Sequence, residues 1–252
     1  MCGGKLLRHE AKQTNMWSYY GSKSKVINYY PKPTKDLIIE PFAGSARYAL
    51  KYWENDVIIC DKYERLINIW LYLQNATVKD IEKLPILKKG ENLNNFEFIC
   101  KEEKDLLGFM IQAGVNAPRL TCTEAGARNQ VTAKRNILNN LHKIKHWDIR
   151  CCDYRDIESK EATWFIDPPY QFGGKYYIHK QIDYTKLKDW IYSLNGEIIV
   201  CENTKADWIE LKPLKKIQGM AQTNTTEAVF LKGWQKNIIT TGKQETLFNT
   251  QT

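Results

Sequence analysis

The stretch IIEPFAGSA, residues 38–46, is an apolar run that ends in an acid and passes through small residues into a helical pattern. Such a pattern predicts a buried strand, a tight turn and then a helix. The first N–H groups of a helix have no partner inside it, so its start at the carboxyl end of a strand favours an anionic ligand. The stretch predicts a βα unit with a ligand at its turn, although a tight turn also needs a glycine for structural reasons alone.

The same alternation of strand and helix recurs along the chain. A strand at 37–40 precedes a helix at 45–53, and a strand at 57–60 precedes a helix at 64–73. Further apolar runs predict strands at 147–151, 163–166, 198–201, 214–217 and 228–231, with a helix at 184–194. Alternating units of this kind form a parallel sheet covered by helices. We therefore expect an α/β fold with a mixed sheet of about seven strands.

Between residues 76 and 146 the alternation stops and helical patterns replace it, notably at 102–111 and 133–146. We interpret this segment as a helical insertion between two parts of one catalytic domain, residues 16–75 and 147–252. Residues 1–15 form an N-terminal extension in this scheme. From residue 119 to 150 there are seven Lys or Arg against two acids. This excess predicts a surface that contacts phosphates, although a solvated helix face would also explain it.

Charge and hydropathy narrow the class of protein further. The chain has 252 residues, with 37 Lys or Arg against 29 acids and a net charge of +8. That balance favours a polyanionic partner, which leaves nucleic acid and an acidic membrane both open. No apolar run reaches the roughly 18 to 20 residues needed to cross a bilayer, and the first 15 residues lack the apolar core of a signal peptide. We expect a soluble, intracellular (cytoplasmic) protein without a membrane partner.

The cysteines give no sign of a metal site. Their number is odd, seven, and no Cys-x-x-Cys pair or finger-like histidine spacing is present. We therefore predict reduced cysteines and no structural metal. Cys60, Cys151 and Cys201 stand at the ends of apolar runs, where cysteine acts as a small hydrophobic residue.

A second motif, VIICD at residues 57–61, is a strand that ends in an acid 17 residues after Gly44. An acid at the tip of the second strand can accept hydrogen bonds from the ribose hydroxyls of a nucleoside cofactor. Capping of the following helix by Asp61 is an alternative, and both roles are compatible. Neither the G-x-G-x-x-G nor the P-loop pattern occurs, so ordinary dinucleotide and NTPase sites are poorly supported.

A third motif, WFIDPPY at residues 164–170, ends a strand with a carboxylate, two prolines and an exposed aromatic residue. Consecutive prolines fix the backbone and supply no N–H donor, so they direct carbonyl groups outward. A simple strand-terminating turn is the alternative explanation.

With these motifs the chain resembles the D12 class of DNA adenine-N6 methyltransferases, the family of Dam-like enzymes. Residues 17–23, WSYYGSK, resemble the first cofactor motif, in which Gly-Gly-Lys follows an aromatic residue. Residues 40–46 resemble the Phe-x-Gly-x-Gly loop, Asp61 the ribose-binding acid, and residues 152–154 the segment near the cofactor adenine. Residues 167–170 match the catalytic Asp-Pro-Pro-Tyr. The order of the motifs around the insertion is also that of the family.

The resemblance implies a Rossmann-like fold that uses S-adenosylmethionine. The implied cofactor-binding residues are Trp17, Tyr20, Lys23, Pro41, Phe42, Ala43, Gly44, Asp61, Asp153 and Asp167. The implied catalytic residues are Asp167, Pro168, Pro169 and Tyr170. Lys23 as a solvated lysine and Asp153 as an ordinary loop acid are the alternatives. Two positions depart from the family pattern: Ser22 replaces the second glycine of the first motif, and Ala46 with Arg47 replaces the second glycine of the loop.

The implied reaction is methyl transfer to N6 of an adenine that is flipped out of double-stranded DNA. Asp167 and the Pro168 carbonyl would accept the two N6 hydrogens, and Tyr170 would stack on the base. In the insertion, a target-recognition region by analogy, the candidate DNA contacts are Asn116, Arg119, Arg128, Asn129, Lys134, Arg135 and Lys143.

Other functions remain open. The same tetrapeptide serves N4-cytosine and RNA amino-methyltransferases, and a silent nucleic-acid-binding module could keep such a fold. The target sequence and a partnership with a separate restriction endonuclease are not encoded in any motif.

Overall fold

The computed structural model of the chain describes residues 15–98, 100–218 and 224–234. Within them lie seven strands: β1 (Leu37–Glu40), β2 (Asp56–Asp61), β3 (Asp148–Cys151), β4 (Ala162–Ile166), β5 (Gly196–Asn203), β6 (Lys212–Gln218) and β7 (Asn224–Lys232). The same residues form six α-helices: α1 (Arg47–Lys51), α2 (Glu64–Asn75), α3 (Val78–Lys83), α4 (Lys101–Met110), α5 (Glu124–Asn140) and α6 (Tyr184–Ser193). Most of the predicted N-terminal extension (1–14) and residues 235–252 lie outside the described residues.

The seven strands form one sheet in the order β3-β2-β1-β4-β5-β7-β6. Strands β1 to β5 are parallel, whereas β7 is antiparallel to both β5 and β6. The predicted α/β class with a mixed sheet is confirmed. The chain leaves β1 toward β2 on one side and later returns to β4 on the other. Such a reversal opens a crevice at the carboxyl ends of the strands, which is where α/β folds bind ligands.

The central strands are buried on both faces, which explains their continuous apolar sequences. All five residues of β4 are buried. Successive strand residues point to opposite faces. Accordingly, Phe165 belongs to one apolar cluster with Tyr48, while its neighbour Trp164 belongs to a second cluster with Ile39. The sheet is thus the shared wall of two cores.

The segment between β2 and β3 packs on one face of the sheet and shares its core. Arg65 Nε of α2 donates to Asp105 Oδ2 of α4 at 2.7 Å, and the Tyr72 hydroxyl of α2 donates to Glu103 of α4 at 3.2 Å. Buried side chains of α4 and α5 belong to the same apolar cluster as Trp70 of α2. The elements of residues 76–146 are therefore packed against α2, the helix that follows the second motif.

Helices α5 and α1 differ in their bounds from the sequence prediction. Helix α5 begins at Glu124 rather than at residue 133, and it ends at Asn140 before a 3-10 turn, Leu141–Ile144. The earlier start comes from Thr123, whose side chain accepts the N–H of Gly126 at 3.0 Å. Helix α1 is shorter than predicted because Ala46, with φ of 44°, is left-handed and outside it. No helix among the described residues is long and apolar enough to cross a membrane.

Cys60 and Cys152 are joined by a disulfide bond, so the prediction of reduced cysteines is wrong for this pair. They end up together because β2 and β3 are parallel neighbours, and the Cα atoms are 6.0 Å apart across a sequence separation of 92 residues. Sequence spacing could not reveal this pairing, because it depends on which strands are adjacent. The bond links the residues directly before Asp61 and Asp153 in the sequence.

Candidate active site

A cavity of about 500 Å³ lies at the carboxyl ends of β1, β2, β3 and β4. Nine residues that the sequence predicts for a cofactor line it: Tyr20, Lys23, Pro41, Phe42, Ala43, Gly44, Asp61, Asp153 and Asp167. Trp17 is the exception. It is fully buried, and its ring centroid lies 4.8 Å from that of Trp70 and 6.5 Å from that of Phe109. The position of Trp17 therefore supports core packing rather than cofactor contact.

The loop after β1 is held against β2 by its own backbone. The N–H of Ala43 donates to the Cys60 carbonyl at 2.9 Å, and the N–H of Gly44 donates to Asp61 Oδ2 at 3.1 Å. The indole N–H of Trp70 donates to the Gly44 carbonyl at 3.1 Å. These contacts fix the loop at the mouth of the crevice.

Asp61 has a second backbone partner, the N–H of Tyr63, which donates to Oδ1 at 2.9 Å. The helix N-cap is Tyr63 rather than Asp61, so strict capping by Asp61 does not occur. Burial raises the pKa of Asp61, and the N–H groups of Tyr63 and Gly44 oppose that shift. Asp61 thus links two loops while its carboxylate faces the cavity.

Gly21 of the first motif packs against Tyr177, which belongs to the loop after β4. Gly21 has φ of +74°, and a Cβ at this position would lie 1.8 Å from the hydroxyl oxygen of Tyr177. Glycine is therefore required at position 21 both by its backbone conformation and by the close approach of Tyr177. Tyr177 lines the cavity but was not predicted, because its loop shows no periodic pattern.

Lys23 and Asp167 form an ion pair inside the cavity, with side chains that are 7% and 17% exposed. Lys23 Nζ lies 2.6 Å from Asp167 Oδ1 and 4.7 Å from the centroid of the Tyr170 ring. Burial raises the pKa of Asp167 to about 6, although Lys23 opposes the shift. For Lys23 burial lowers the pKa, but the carboxylates of Asp167 and Glu227 outweigh it and the net change is upward. The pair is therefore charged at neutral pH, and Lys23 is not a solvated lysine.

The side chain of Tyr170 is anchored from behind by an acid of β7. The hydroxyls of Tyr170 and Tyr30 both donate to Glu227 Oε1, each at 2.5 Å. Glu227 is 4% exposed. Burial raises the pKa of both tyrosines well above the usual value, so the phenols stay protonated and remain donors. Contrary to the prediction of an exposed aromatic residue, the Tyr170 hydroxyl points into the protein because this carboxylate binds it.

The backbone around the two prolines is fixed by side chains. The hydroxyl of Tyr184 donates to the Pro169 carbonyl at 2.7 Å. The N–H of Gln171 donates to Glu202 Oε2 at 2.8 Å, and Glu202 is fully buried. A turn that only terminated a strand would not require two separate anchors. The arrangement instead favours a rigid platform at residues 167–170.

At the opposite end of the cavity, Asp153 is surrounded by cations. Arg155 Nε donates to Asp153 Oδ1 at 2.8 Å, and Lys62 Nζ donates to Oδ2 at 3.2 Å. These contacts, with the Arg155 hydrogen bond first, hold the pKa of Asp153 well below its usual range. Beside it, the rings of Phe42 and Tyr154 lie 5.3 Å apart between centroids. Asp153 is thus more than a simple loop acid, and the neighbouring rings offer an aromatic surface for a flat group.

The two departures from the family pattern contact each other. Arg47 Nε donates to Ser22 Oγ at 2.8 Å, and both residues line the cavity. Arg47 is 8% exposed. Burial lowers the pKa of Arg47 to about 10, which leaves the guanidinium charged at neutral pH. The cavity therefore contains a second buried cation besides Lys23.

Glu40 is a further cavity residue that sequence reasoning missed. It is 2% exposed, and Oε1 accepts the N–H of Ala49 at 2.5 Å. Burial raises the pKa of Glu40 to about 8 despite that hydrogen bond. Its position directly before Pro41 was visible in the sequence, whereas no local motif indicated that Glu227 and Tyr30 lie near the site. Those two reach the site only through the sheet order.

The structure assigns internal partners to four of the predicted DNA contacts. Lys134 Nζ donates to the carbonyls of Glu82 and Leu84, both at 2.7 Å, at the carboxyl end of α3. The remaining three also have contacts: Arg128 pairs with Glu124 at 3.0 Å, Lys143 lies 5.7 Å from the Trp53 ring centroid, and Asn116 donates to the Tyr176 carbonyl.

The other three DNA candidates differ in exposure. Arg119 and Arg135 are exposed, and Asn129 is half-buried. The predicted basic surface is therefore narrower than the sequence implied. The exposed cations among the seven candidates are Arg119, Arg128 and Arg135, of which Arg128 pairs with Glu124.

Comparison with known proteins addresses the family directly. The model of the D12 class N6 adenine-specific DNA methyltransferase family matches residues 19–110. The predicted family resemblance is confirmed. The D12 match includes residues 19–23 of the first motif, the loop after β1 and Asp61, and it stops before the Asp-Pro-Pro-Tyr platform. It supports a DNA adenine methyltransferase in general terms.

Two further comparisons add no functional detail to the D12 match. A search of curated proteins gives no match. Among solved structures, a chain described as a conserved hypothetical protein from Streptococcus pyogenes is 10% identical, with a TM-score of 0.32. That alignment covers 80% of this chain and 88% of the other.

Proposed function

We propose that this protein transfers a methyl group from S-adenosylmethionine to the N6 amine of an adenine flipped out of double-stranded DNA. The observation that carries the proposal is the placement of Asp167. Its carboxylate, 17% exposed, lines the cavity at the carboxyl end of β4 and pairs with Lys23, whose Nζ lies 4.7 Å from the centroid of the Tyr170 ring. An acceptor and an aromatic ring side by side suit an aromatic base with an exocyclic amine.

The residues present fit an adenosyl cofactor. The cavity volume lies in the usual range for small-molecule sites. Asp61 offers carboxylate oxygens at the tip of the second strand, where such folds bind ribose. Phe42 and Tyr154 provide an aromatic surface near Asp153 at the same end of the cavity. S-adenosylmethionine, when bound, supplies an electrophilic methyl group on a sulfonium.

The chemical work of the protein is then mainly positioning. An adenine amine is a poor nucleophile because its lone pair is delocalised into the ring. Asp167 and the Pro168 carbonyl accept the two N6 hydrogens, which directs the lone pair toward the methyl group. Tyr170 stacks on the base, and its anchored hydroxyl keeps the ring in one orientation. The Tyr170 ring therefore has its orientation before the base arrives.

The location of Asp167 in the cavity supports base flipping, because a base inside a duplex cannot reach that carboxylate. Extrusion costs a few kcal/mol, which stacking and phosphate contacts offset. Lys23 already occupies Asp167 and lies over the Tyr170 ring, so an entering amine must share or take over this carboxylate. The products are S-adenosylhomocysteine and N6-methyladenine.

A single incubation tests the proposal. The purified full chain is mixed with unmethylated double-stranded DNA and S-adenosylmethionine, and the digested nucleosides are quantified by mass spectrometry. We expect N6-methyladenine with the wild-type protein and a loss of at least 100-fold with Asp167→Ala or Asp167→Asn. Gln171→Ala, which keeps the platform residues, serves as the matched control. N4-methylcytosine alone, or equal activity of the Asp167 variants, would refute the assignment.

A further inference from the structure

Arg47 is a buried cation for which the reaction described above has no use. It is more than nine-tenths buried, lines the cavity and donates from Nε to Ser22 Oγ at 2.8 Å. The two residues stand at the departures from the glycine pattern of the first motif and the loop.

The guanidinium of Arg47 has no carboxylate partner among the described residues. Other arginines of the chain do: Arg65 pairs with Asp105, Arg150 with Asp148, and Arg155 with Asp153. A buried charge without a counter-charge is unfavourable, and arginine does not relieve the cost by losing its proton. The donors beyond Nε therefore point to an anionic ligand in the cavity.

The place of Arg47 indicates which anion this is. A DNA phosphate belongs to a bulky polymer backbone, which cannot approach a guanidinium that is only 8% exposed. A small ligand inside the cavity can. The planar donor fork of arginine matches a carboxylate with two parallel hydrogen bonds.

We propose that Arg47, oriented by Ser22, binds the carboxylate of the methionine moiety of S-adenosylmethionine. The inference rests on the proposed function, because it assumes that this cofactor occupies the cavity. It adds a specificity determinant: Arg47 discriminates the amino-acid cofactor from adenosyl compounds that lack a carboxylate. S-adenosylhomocysteine keeps that group and is bound through the same contact.

Calorimetric binding to the purified full chain tests the contact without measuring methyl transfer. The ligands are S-adenosylmethionine, S-adenosylhomocysteine, decarboxylated S-adenosylmethionine and 5′-methylthioadenosine, of which the last two lack the carboxylate. The variants are Arg47→Met, Arg47→Lys and Ser22→Ala. Lys186→Met, which removes an exposed cation that also lines the cavity, is the matched control. Circular dichroism and thermal melting confirm that each variant is folded.

We expect Arg47→Met to weaken both carboxylate ligands by about 10- to 100-fold and to leave the other two unchanged. Arg47→Lys retains part of the affinity because it keeps a point charge, and Ser22→Ala gives a smaller loss with the same ligand selectivity. An equal loss for all four ligands, or no loss, overturns the role of Arg47. A wild-type protein that binds none of them instead refutes the cofactor of the proposed function, and the inference falls with it.

Discussion

At the scale of single residues, the Lys23–Asp167 pair determines how the site responds to pH. In the proposed reaction, Asp167 has to be unprotonated to accept the N6 hydrogens of the base. Burial raises its pKa to about 6, and the ammonium 2.6 Å away limits that rise. The Asp167 carboxylate is thus ionised at neutral pH, about one pH unit above its pKa.

We expect the methylation rate to fall as the pH drops through about 6, by about tenfold per unit below it. A raised pKa in the folded protein means that the active, ionised form is present above this pH and lost below it. Single-turnover rates between pH 5 and 8, on DNA already bound, measure the effect. A flat profile over this range would contradict it.

Lys23→Met provides the matched test of the cause. Removal of the ammonium eliminates the interaction that favours the ionised carboxylate, so the acid limb of the profile should move upward by about one pH unit or more. A limb that stays in place, or that moves to lower pH, would show that Lys23 does not control Asp167.

Glu227 is the second residue-scale determinant, because two phenols share one of its oxygens. Tyr170 is the residue expected to stack on the base, and its ring orientation depends on this acceptor. The role of Glu227 is therefore to position Tyr170 rather than to touch the base.

Positioning predicts that the effects of Glu227→Ala and Tyr170→Phe are not additive. Each single variant should raise the KM for DNA by about tenfold, and the double variant should be no worse than the poorer single one. Glu227→Gln, which keeps an acceptor oxygen, should recover most of the loss. The base-stacking step is followed with 2-aminopurine at the target site. Multiplied losses in the double variant would indicate that Glu227 acts elsewhere.

The sequence predicted those cavity residues whose position follows from the motif around them. Asp61, Asp167 and the loop Pro41–Gly44 follow apolar runs, and parallel strands bring their carboxyl ends to one edge. Glu227 and Tyr177 were missed because their contribution depends on sheet order and on a loop without pattern. Trp17 was misplaced because an aromatic residue in a motif does not show which way its side chain points.

At the scale of elements, helix α5 shows the limit of apolar periodicity. Its apolar stripe begins near residue 133, whereas the helix itself begins at Glu124 after the Thr123 cap. The first turns carry a glycine because α5 starts against the end of α4. A Cβ on Gly126 would lie 1.6 Å from the carbonyl oxygen of Ile111.

We therefore expect Gly126→Ala to destabilise the protein by about 2 kcal/mol or more, because a backbone carbonyl must move. Helix propensity alone predicts the opposite sign, a gain of about 1 kcal/mol. Urea unfolding followed by circular dichroism measures the difference. Ala125→Gly, at an exposed neighbouring position, is the control for propensity and should cost about 1 kcal/mol. A stabilised Gly126→Ala variant would contradict the close contact.

At the scale of the whole molecule, the positive charge is less available than the sequence indicates. Lys134, Arg128 and Lys143 have internal partners, so their contribution to a DNA surface is reduced. Arg119 and Arg135 are exposed in the same region. We expect Arg119 and Arg135 to contact DNA phosphates.

The double variant Arg119→Gln with Arg135→Gln should reduce the slope of log affinity against log salt by about 2, since each lost phosphate contact contributes about 0.9. Fluorescence anisotropy with a short duplex at several salt concentrations measures it. Lys134→Gln is the matched control: its ammonium binds carbonyls of α3, so the slope should stay the same while thermal stability falls. A slope lowered by Lys134→Gln alone would reverse this assignment.

The fold class was predictable from sequence because the central strands β1, β2, β4 and β5 contain distinct apolar runs. The order β5-β7-β6 was not predictable, because the local sequence pattern does not show which of the last strands pair with each other. The Cys60–Cys152 bond was hidden for the same reason, as it depends on the adjacency of β2 and β3.

The position of β7 also determines when the residues around Tyr170 can assemble during synthesis of the chain. A ribosome releases β5 and β6 before β7, yet β7 lies between them in the sheet. A nascent chain can complete the cavity loops early, but Tyr170 receives its Glu227 acceptor only when residues 224–232 emerge and insert between strands already made. A chain that lacks residues 224–232 therefore carries residues 17–61 and 167–170 but has no Glu227 acceptor for the Tyr170 hydroxyl.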